Sequence, residues 1–384
     1  MFDVIIVGAG PAGGMAARTI ANSGYSVAII EMKKEVGYPV QCAESVSEFC
    51  LNAIGIKKDD RWIKNVAKGV KIVAPNGKSF YCAEKRYNVD RHLFDKSLVE
   101  KAVDKGAELY TETKAKHIEE KRDRCIIRTN KGEFEARVVV AADGALSMIA
   151  TQLGMLKRKT FWKAVQYKFD AKYVKGIDDE WLYMYMYTQE LKGGYIWVFP
   201  RGDECSIGLG GRVPDLVPKL RKFCKQMGID PEKRKSANGG LLPFEFVFET
   251  RSKNNCIVVG DAAGLTNSAT GGGIFSALYS GKLAGEVVVK SFEEGKQEIL
   301  KEYDRKIRKT PFLHPSIMRA ARYFENWKDE DWNRLATAAK GMNMEDMTVL
   351  WGIIQGIKKH HWMITRGLEM LTIRKAMLIS KRYS

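Results

Sequence analysis

Cysteine pairs of the kind that bind zinc or cross-link secreted proteins are missing from this sequence of 384 residues. Its seven cysteines are an odd number, they are widely scattered, and none of them belongs to a C-x-x-C pair. They are Cys42, Cys50, Cys82, Cys125, Cys205, Cys224 and Cys256. This pattern argues against a disulfide framework and a metal site, and it favours a reduced, intracellular compartment.

Long apolar runs are also scarce in the sequence. The stretch from Ile274 to Val289 is interrupted by Lys282 and Glu286, so it falls short of a membrane span. A buried strand is predicted to begin at residue 2 or 3, which leaves no room for a signal peptide ahead of it. We therefore expect a cytoplasmic protein that is not secreted, has no transmembrane helix and meets a membrane only at its surface.

Acidic residues are outnumbered: 46 Asp and Glu stand against 63 Lys and Arg, which gives a formal net charge of +17. Such an excess favours an anionic partner. The sequence carries no zinc-ligand pairs, no helix-turn-helix pattern and no aromatic RNA-binding strand, so no nucleic-acid partner is expected. An anionic membrane surface or a phosphorylated substrate is the better prediction.

The basic excess is strongest at the end of the chain, where residues 358–384 hold seven Lys and Arg and one Glu. Four apolar side chains of this stretch share one face of a predicted helix, namely Ile364, Leu368, Leu371 and Leu378. A helix of this kind can lie at an anionic membrane surface, which predicts peripheral membrane contact. Docking of the helix on its own protein is the alternative that the pattern leaves open.

The run DVIIVGAGPAGG near the start combines a buried-strand pattern, a glycine turn and the beginning of a helix. Gly8, Gly10 and Gly13 have the G-x-G-x-x-G spacing at which a helix N-terminus meets a pyrophosphate. A second strand, residues 27–30, is followed by Glu31, at roughly the distance where an acid binds an adenosine ribose. The sequence therefore predicts a dinucleotide-binding unit.

Chain length and strand order predict an α/β (α+β) protein with more than one unit. Buried strands that lead into Asp143 and Asp261 return the chain to the dinucleotide-binding sheet, so that domain is discontinuous. We expect a Rossmann-like dinucleotide-binding domain from residues 1–65, 85–155 and 250–292, an antiparallel-sheet substrate domain from 66–84 and 156–249, and a C-terminal helical region from 293–384.

Aromatic residues concentrate between about residues 160 and 211. Four of them alternate with large apolar residues and so share one face of a predicted strand, namely Trp181, Tyr183, Tyr185 and Tyr187. Strands at 195–200 and 205–209 should complete an antiparallel meander, and Asn238–Gly240 should break the chain beyond it. Because both faces of the first strand are apolar, either both faces of the sheet are packed in the core or one face lines an apolar cavity. We predict the cavity.

Two helix starts carry unusual residues. Asp90 is a plausible N-cap, and Arg91 in the first turn is unfavourable for the helix dipole. A cofactor contact would explain this arginine, and a surface charge is the alternative. A second helix begins at Ile274 after three glycines, so its first N–H groups are open to whatever lies there.

Three motifs resemble those of FAD-dependent enzymes with the aromatic-hydroxylase fold: GAGPAGG, Arg91 with Asp95 and Leu98, and GDAAG at 260–264. A further set has the spacing of the geranylgeranyl reductase signature: Tyr195, Trp197, Phe199, Pro200, Gly208 and Gly210. Archaeal members of that family saturate the prenyl chains of digeranylgeranylglycerophospholipids. The resemblance covers about residues 1–290 and implies bound FAD, a prenylated lipid substrate and an antiparallel sheet above it.

The resemblance also implies which residues contact FAD. They are Ala12 and Gly13 at the pyrophosphate, Glu31 at the ribose, Cys42 and Ala43 near the flavin, Arg91, Ala115 and Asp261, and Gly273 with Ile274 at the isoalloxazine ring. The candidate substrate pocket consists of Tyr185, Tyr195, Trp197, Phe199, Pro200 and Gly208. Cys42, or a water that it positions, is the candidate proton donor.

Two departures bear on the source of electrons. No arginine lies near Asp143 and Gly144, where hydroxylases of this fold often carry one, and no second G-x-G-x-x-G is present for a nicotinamide cofactor. Direct use of NADPH is therefore not expected, and a basic surface would attract ferredoxin or another small electron carrier. The alternatives are a flavin monooxygenase or halogenase of the same fold, and a flavoprotein that passes electrons to quinone.

Overall fold

The computed structural model describes residues 1–347 and 366–383, without the side chains of 382 and 383. The α-helices are α1 Pro11–Ala21, α2 Glu48–Ile54, α3 Arg91–Val103, α4 Met148–Gln152, α5 Thr188–Leu191, α6 Leu216–Gln226, α7 Ile274–Glu293, α8 Lys301–Ile307, α9 Pro315–Asn326, α10 Asp329–Ala338 and α11 Gly367–Tyr383. The strands are β1 Phe2–Val7, β2 Val27–Ile30, β3 Ser45–Ser47, β4 Ile63–Val73, β5 Ser79–Val89, β6 Glu108–Tyr110, β7 Ala115–Glu120, β8 Cys125–Thr129, β9 Gly132–Ala141, β10 Leu156–Asp170, β11 Trp181–Tyr185, β12 Tyr195–Arg201, β13 Glu204–Gly211, β14 Ser236–Phe248, β15 Ser252–Lys253 and β16 Cys256–Val258.

Sheet A has eight strands, with the main order β15-β16-β9-β1-β2-β6 and the hairpin β7–β8 attached to β9. β1 lies between β2 and β9, and Val4 is opposite both Val27 and Val138. The apolar residues 4–7 of β1 are buried, which confirms the strand that their composition predicted. Because β1, β2, β9 and β16 run parallel, their carboxyl ends share one edge, where α/β proteins bind ligands.

Sheet B has eight strands in the order β14-β10-β13-β12-β11-β4-β5-β3, and of these pairs β11 with β4 is parallel. The helix α6 covers one face through a cluster that includes Leu220 and Phe223. The other face carries a second cluster with Leu182, Trp197 and Phe199. The sheet takes residues from 45–47, 63–73 and 79–89 as well as from 156–248, and the domain division drawn from the sequence stays a prediction.

The stretch from Ser236 to Phe248 forms the strand β14, although its sequence predicted a break at Asn238–Gly240. That prediction was wrong because β14 lies at the edge of sheet B, where it pairs with β10 on one side. An edge strand tolerates glycine and proline, since half of its backbone groups are not needed by a neighbouring strand. Pro243 lies opposite Phe161, where the β10–β14 register shifts. The hydrogen bonds between the two strands are irregular at this point, so the missing N–H of proline is tolerated.

The described part of residues 293–384 consists mainly of helices. α11 packs against α9 and buries Ile373 and Ala376, and the Asn267 amide donates a hydrogen bond to Ser380 Oγ at 2.8 Å. The helix is therefore docked on its own protein, which was the alternative that the sequence left open. Membrane contact by α11 stays a prediction.

Two leucines of the predicted membrane-facing stripe are exposed on α11, Leu368 by 82% and Leu371 by 44%. The stripe residue Ile364 and the basic residues Lys358 and Lys359 lie outside the described residues. Among residues 1–347 and 366–383, no helix combines the length and the apolar character needed to cross a membrane.

Candidate active site

The turn between β1 and α1 depends on close contacts that exclude side chains. Gly8 has a φ angle of +101° and donates its N–H to the Ile30 carbonyl at 2.8 Å. A Cβ atom on Gly13 would lie 1.8 Å from the Gly8 carbonyl oxygen. Glycine at both positions therefore lets α1 begin directly above the end of β1, with Ala12 buried in its first turn.

Gly10 faces open space beside this turn. It is the N-cap of α1, and a Cβ placed on it would meet none of the described atoms within 4 Å. Pro11 opens the helix, and none of the described side chains caps it. The first N–H groups of α1 and the positive end of its dipole are therefore available to an anion.

Glu31 lies after β2 at the same edge of sheet A and is buried. Its carboxylate accepts the N–H of Ala9 at 2.8 Å and the N–H of Lys33 at 2.9 Å. Its carbonyl accepts the N–H of Thr113 at 2.8 Å, so the segment that leads into Ala115 lies beside it. The contact with Glu31 is made by Thr113, two residues before Ala115, and the placement of Ala115 at the cofactor stays a prediction.

Asp261 lies in the 3₁₀-helix that follows β16. Its Oδ1 accepts the Thr266 hydroxyl at 2.6 Å, and a Cβ on Gly273 would lie 3.4 Å from that oxygen. Burial raises the pKa of Asp261, while the Thr266 hydroxyl and the charge of Arg91 act in the opposite direction. The GDAAG motif therefore meets the start of α7, where Ile274 follows Gly273.

Arg91 forms a bidentate ion pair in the first turn of α3. Its Nε and Nη2 donate to the two carboxylate oxygens of Asp95, at 2.8 Å each. Burial opposes the charge of Arg91, but Asp95 and, less strongly, Cys42 raise its pKa above the ordinary value. The ion pair offsets the unfavourable helix-dipole position that the sequence revealed. A contact between Arg91 and the cofactor stays a prediction.

Cys42 lies in the loop between β2 and β3 and is half-buried, whereas the other six cysteines are buried. Its Sγ accepts the N–H of Glu44 at 3.2 Å, and its carbonyl accepts an N–H of the Gln166 side chain at 3.1 Å. Ala43 packs against the sheet B cluster that contains Trp197. This loop therefore lies against the aromatic face of sheet B.

Tyr195 and Trp197 of β12 join that aromatic face to the rest of the site. The Tyr195 hydroxyl donates to the carbonyl of Thr270, in the loop that leads to α7, and burial raises the pKa of this hydroxyl. The Trp197 indole N–H donates to Gln166 Oε1 at 2.9 Å. Gln166 therefore connects the Trp197 ring with the carbonyl of Cys42.

The structure does not bring Tyr185 together with these residues. Its ring packs against Phe223 beneath α6, on the opposite face of sheet B from Trp197. The register explains this placement, because Tyr185 is opposite Ile196 in the β11–β12 pair, and Ile196 also belongs to the α6 face. The grouping of Tyr185 with Trp197 and Phe199 is corrected accordingly, and Met184 is the β11 residue that packs against their cluster.

Phe199 and Pro200 lie at the end of β12. Phe199 is buried in the same cluster as Trp197. The carbonyl of Pro200 accepts hydrogen bonds from the side-chain amides of Asn65, at 3.2 Å, and Asn88. Phe199 therefore contributes apolar surface to the site, while Pro200 fixes β12 to its neighbouring strands.

Gly208 provides the surface on which the Trp197 ring rests. The two residues are opposite each other in the β12–β13 pair. A Cβ on Gly208 would lie 2.3 Å from Trp197 Cζ2 and 2.7 Å from the Val165 carbonyl oxygen. Only a glycine therefore lets the indole lie against the sheet and reach Gln166.

We expect Gly208→Ala to displace the Trp197 ring and to lower kcat by about tenfold, without loss of the expected flavin. The measurement is steady-state turnover, with the visible flavin spectrum as a check on binding. Gly210→Ala is the matched control, because a Cβ there would lie 3.4 Å or more from its neighbours. Equal turnover in the two variants would contradict the role given to Gly208.

The residues along this edge of sheet A fit a bound FAD. The open side of Gly10 leaves room for a pyrophosphate at the start of α1, and Glu31 lies at the end of β2 where a ribose would reach it. The start of α7, uncapped by any described side chain, lies next to Asp261 and gives a second set of N–H groups. Two helix N-termini at one edge suit a dinucleotide with an anionic flavin.

The family model described as an FAD binding domain matches residues 1–238. Two curated relatives align over nearly their whole length. They are digeranylgeranylglycerophospholipid reductase of Methanosarcina acetivorans, 31% identical over 97% of this chain and 96% of the relative, and digeranylgeranylglycerophospholipid reductase 2 of Methanopyrus kandleri, 32% identical over 98% and 99%. The chain belongs to the geranylgeranyl reductase family. This reductase is a flavin-dependent oxidoreductase with FAD as its cofactor, as the motifs predicted.

Solved structures confirm the fold of the reductase. A geranylgeranyl bacteriochlorophyll reductase-like protein from Thermoplasma acidophilum has a TM-score of 0.81 at 26% identity, over 95% of this chain and 98% of that chain. A p-nitrophenol 4-monooxygenase from Pseudomonas putida has a TM-score of 0.71 at 14% identity, over 98% of both chains. A halogenase in complex with FAD has a TM-score of 0.69 at 15% identity, over 98% of this chain and 86% of that chain. At these identities the monooxygenase and the halogenase share the fold with the reductase and nothing finer.

The sequence did not single out four polar residues of the reductase that lie around the Cys42 loop, namely Glu44, Gln166, Lys168 and Arg201. The three basic or amide residues come from β10 and β12, more than 120 positions away from Cys42 along the chain. A signal was present in one case, because Arg201 ends an otherwise apolar strand directly after the Tyr195–Pro200 motif.

Proposed function

We propose that this protein saturates C=C bonds of the geranylgeranyl chains in archaeal-type digeranylgeranylglycerophospholipids. The observation that carries the proposal is the connection between an apolar aromatic face and the flavin end of the site. Tyr195 bonds to the Thr270 loop before α7, and Trp197 is linked through Gln166 to the Cys42 loop. A site of this composition suits an isoprenoid chain, and the curated relatives carry the corresponding name.

For FAD we propose that the start of α1 binds the pyrophosphate, that residues at the end of β2 and the start of β7 bind the adenosine part, and that the Cys42 loop and the start of α7 bind the flavin. The residues in this order are Gly8, Gly10, Ala12 and Gly13; Glu31 and Ala115; and Cys42, Ala43, Gly273 and Ile274. In the same proposal Arg91 contacts the cofactor, and Asp261 lies at its ribityl or pyrophosphate region.

Saturation of an isolated C=C bond adds a hydride to one carbon and a proton to the other. FAD, when bound and reduced, supplies the hydride. Since no carbonyl polarises an isoprenoid double bond, the protein must hold the alkene in place and exclude water. Trp197 and Phe199 supply buried apolar surface for this purpose. Cys42 is the proposed proton donor, at Sγ, or positions the water that donates.

Two partners belong to this proposal. Ferredoxin or another small electron carrier fits the net charge of +17, because acidic carriers are attracted to basic surfaces. Contact with an anionic membrane surface would bring the protein to its lipid, and the exposed Leu368 and Leu371 on α11 are suited to it. We accordingly propose a cytoplasmic protein with peripheral membrane association.

The test is incubation of the FAD-loaded protein with digeranylgeranylglycerophospholipid and dithionite, followed by mass spectrometry of the lipid. We expect mass gains in steps of two hydrogens, one step for each reduced bond, and no gain with protein from which FAD has been removed. Replacement of dithionite by reduced ferredoxin tests the electron carrier.

Unchanged lipid in the presence of fully bound, reduced FAD would contradict the proposed substrate. Rapid oxidation of NADPH in air together with a small aromatic compound would instead favour a monooxygenase. These outcomes are separable, because the first follows the mass of the lipid and the second follows consumption of the nicotinamide.

A further inference from the structure

The Cys42 loop itself carries a fully buried carboxylate, two residues after the thiol. The side chain of Glu44 is 0% exposed, and its Oε2 lies 2.6 Å from Arg201 Nη1 and 2.7 Å from Lys168 Nζ. Its Oε1 accepts the backbone N–H of Arg91 at 3.1 Å. One carboxylate thus contacts residues of β10, β12 and α3.

The two cations that contact Glu44 are themselves largely buried. The Arg201 side chain is 2% exposed and the Lys168 side chain is 16% exposed, so both charges are largely withdrawn from water. The contact between Arg201 and Glu44 is an ion pair by distance rather than an aligned hydrogen bond. Charges buried in this way are tolerated because each compensates another, so removal of Glu44 leaves two buried cations without their shared anion.

The backbone of Glu44 is as constrained as its side chain. Its φ angle of +66° is a left-handed backbone conformation that residues other than glycine rarely adopt. In this conformation its N–H donates to Cys42 Sγ at 3.2 Å, and its carbonyl accepts the N–H of Val89 at 2.8 Å. The ion pairs of the side chain therefore hold a strained turn that presents an N–H to the Cys42 thiol.

We propose that Glu44 is a positioning residue, which uses its ion pairs with Arg201 and Lys168 to fix the Cys42 thiol toward the reacting lipid. The proposal rests on the proposed function, since it gives the orientation of Cys42 a purpose in alkene reduction. Glu44 acts through Cys42 and the backbone of Arg91 rather than on the lipid. A change at Glu44 should therefore alter turnover more than substrate binding.

The first test uses the full-length, FAD-loaded protein without lipid. Cys42 is half-buried while the other cysteines are buried, so alkylation by iodoacetamide, read by peptide mass spectrometry, reports on its position. In Glu44→Gln we expect the alkylation rate of Cys42 to change by about fivefold, with the flavin spectrum retained. With lipid and dithionite, kcat should fall by about tenfold while KM stays within about twofold.

Glu48→Gln is the matched control. Glu48 lies four residues further along the same segment, and its ion pairs are with Lys58 and Lys85, outside the Glu44 cluster. We expect this variant to keep the alkylation rate of Cys42 and the turnover of the unaltered protein. Lys168→Met serves as the second variant if Glu44→Gln does not fold, because it retains the ion pair of Glu44 with Arg201. We expect it to change the alkylation rate in the same direction, by about twofold.

Alkylation of Cys42 in Glu44→Gln at the rate of the unaltered protein, with FAD bound, overturns the proposal even if thermal stability falls. The same result in Lys168→Met overturns it when Glu44→Gln cannot be obtained. Failure of the unaltered protein to reduce lipid would instead refute the proposed function. The two failures are distinguishable, because the alkylation measurement requires no lipid.

Discussion

Gly13→Ala is expected to abolish stable FAD binding and to destabilise the protein. The added Cβ would lie 1.8 Å from the Gly8 carbonyl oxygen, although real Cβ atoms essentially never come closer than 3.0 Å to another heavy atom. Its distance of 3.1 Å from Ile6 Cγ2 would also be tighter than most such contacts. The start of α1 must therefore move by roughly 1 Å, in a close-packed region that resists such a shift. We expect a loss of about 3 kcal/mol in the free energy of unfolding and at least about 100-fold in FAD affinity.

The measurements are chemical denaturation of the apoprotein and flavin titration of the same sample. Gly10→Ala is the matched variant, since its Cβ would point into open space and its φ angle of −73° suits alanine. We expect its apoprotein to have the same free energy of unfolding as the unaltered apoprotein. Its affinity for FAD should nevertheless be low, because the methyl group occupies the proposed pyrophosphate position. Tight FAD binding by both variants would contradict the placement of the cofactor at the start of α1.

Cys42→Ala is expected to lower kcat for lipid reduction by about 10²-fold while FAD stays bound. A general acid in position contributes on the order of 10² to 10⁴ in rate. Because water can still donate a proton when the thiol is absent, we expect a loss at the lower end of this range. The flavin should remain because most of the proposed FAD contacts come from the β1–α1 turn and the start of α1, the end of β2, and the starts of α3 and α7 rather than from the thiol. The measurement is turnover with dithionite at saturating lipid, together with the ratio of flavin to protein.

Cys224→Ala controls for loss of a thiol as such, because Cys224 is a buried residue of α6, which covers the face of sheet B opposite Trp197. Cys42→Ser should recover part of the activity if a proton or a positioned water is what Cys42 provides. Full activity of Cys42→Ala with FAD retained would remove the proposed role. Loss of FAD from this variant would assign the residue to cofactor binding instead.

The parts of the fold that the sequence predicted are those governed by local rules. The glycine spacing placed the turn after β1, and Asp90 was identified as the cap of α3, where its side chain accepts the N–H of Leu93 at 3.2 Å. Alternation of side chains along β11 predicted two apolar faces, and the structure confirms them. Each of these features depends on residues within a few positions of one another.

The errors and omissions come from contacts between distant segments. Asn238–Gly240 could be placed in a strand only with knowledge that β14 lies at an edge, which depends on its pairing with β10. Alternation along β11 could not say which of its faces carries Trp197, so Tyr185 was grouped with residues of the opposite face. In the sequence, nothing distinguishes Lys168 and Arg201 from charged surface residues, because their ion pairs with Glu44 form only in the folded chain.

The order of strands in sheet A has a consequence for biosynthesis. β1 lies near the centre of the sheet, and it precedes β16 and the helix α7 along the chain by more than 200 residues. A nascent polypeptide therefore exposes an unfinished apolar sheet on the ribosome until residues beyond Ile274 have emerged. The proposed cleft for the vitamin-derived cofactor is complete only after the start of α7 has been made, and chains that terminate earlier would be substrates for chaperones and proteases.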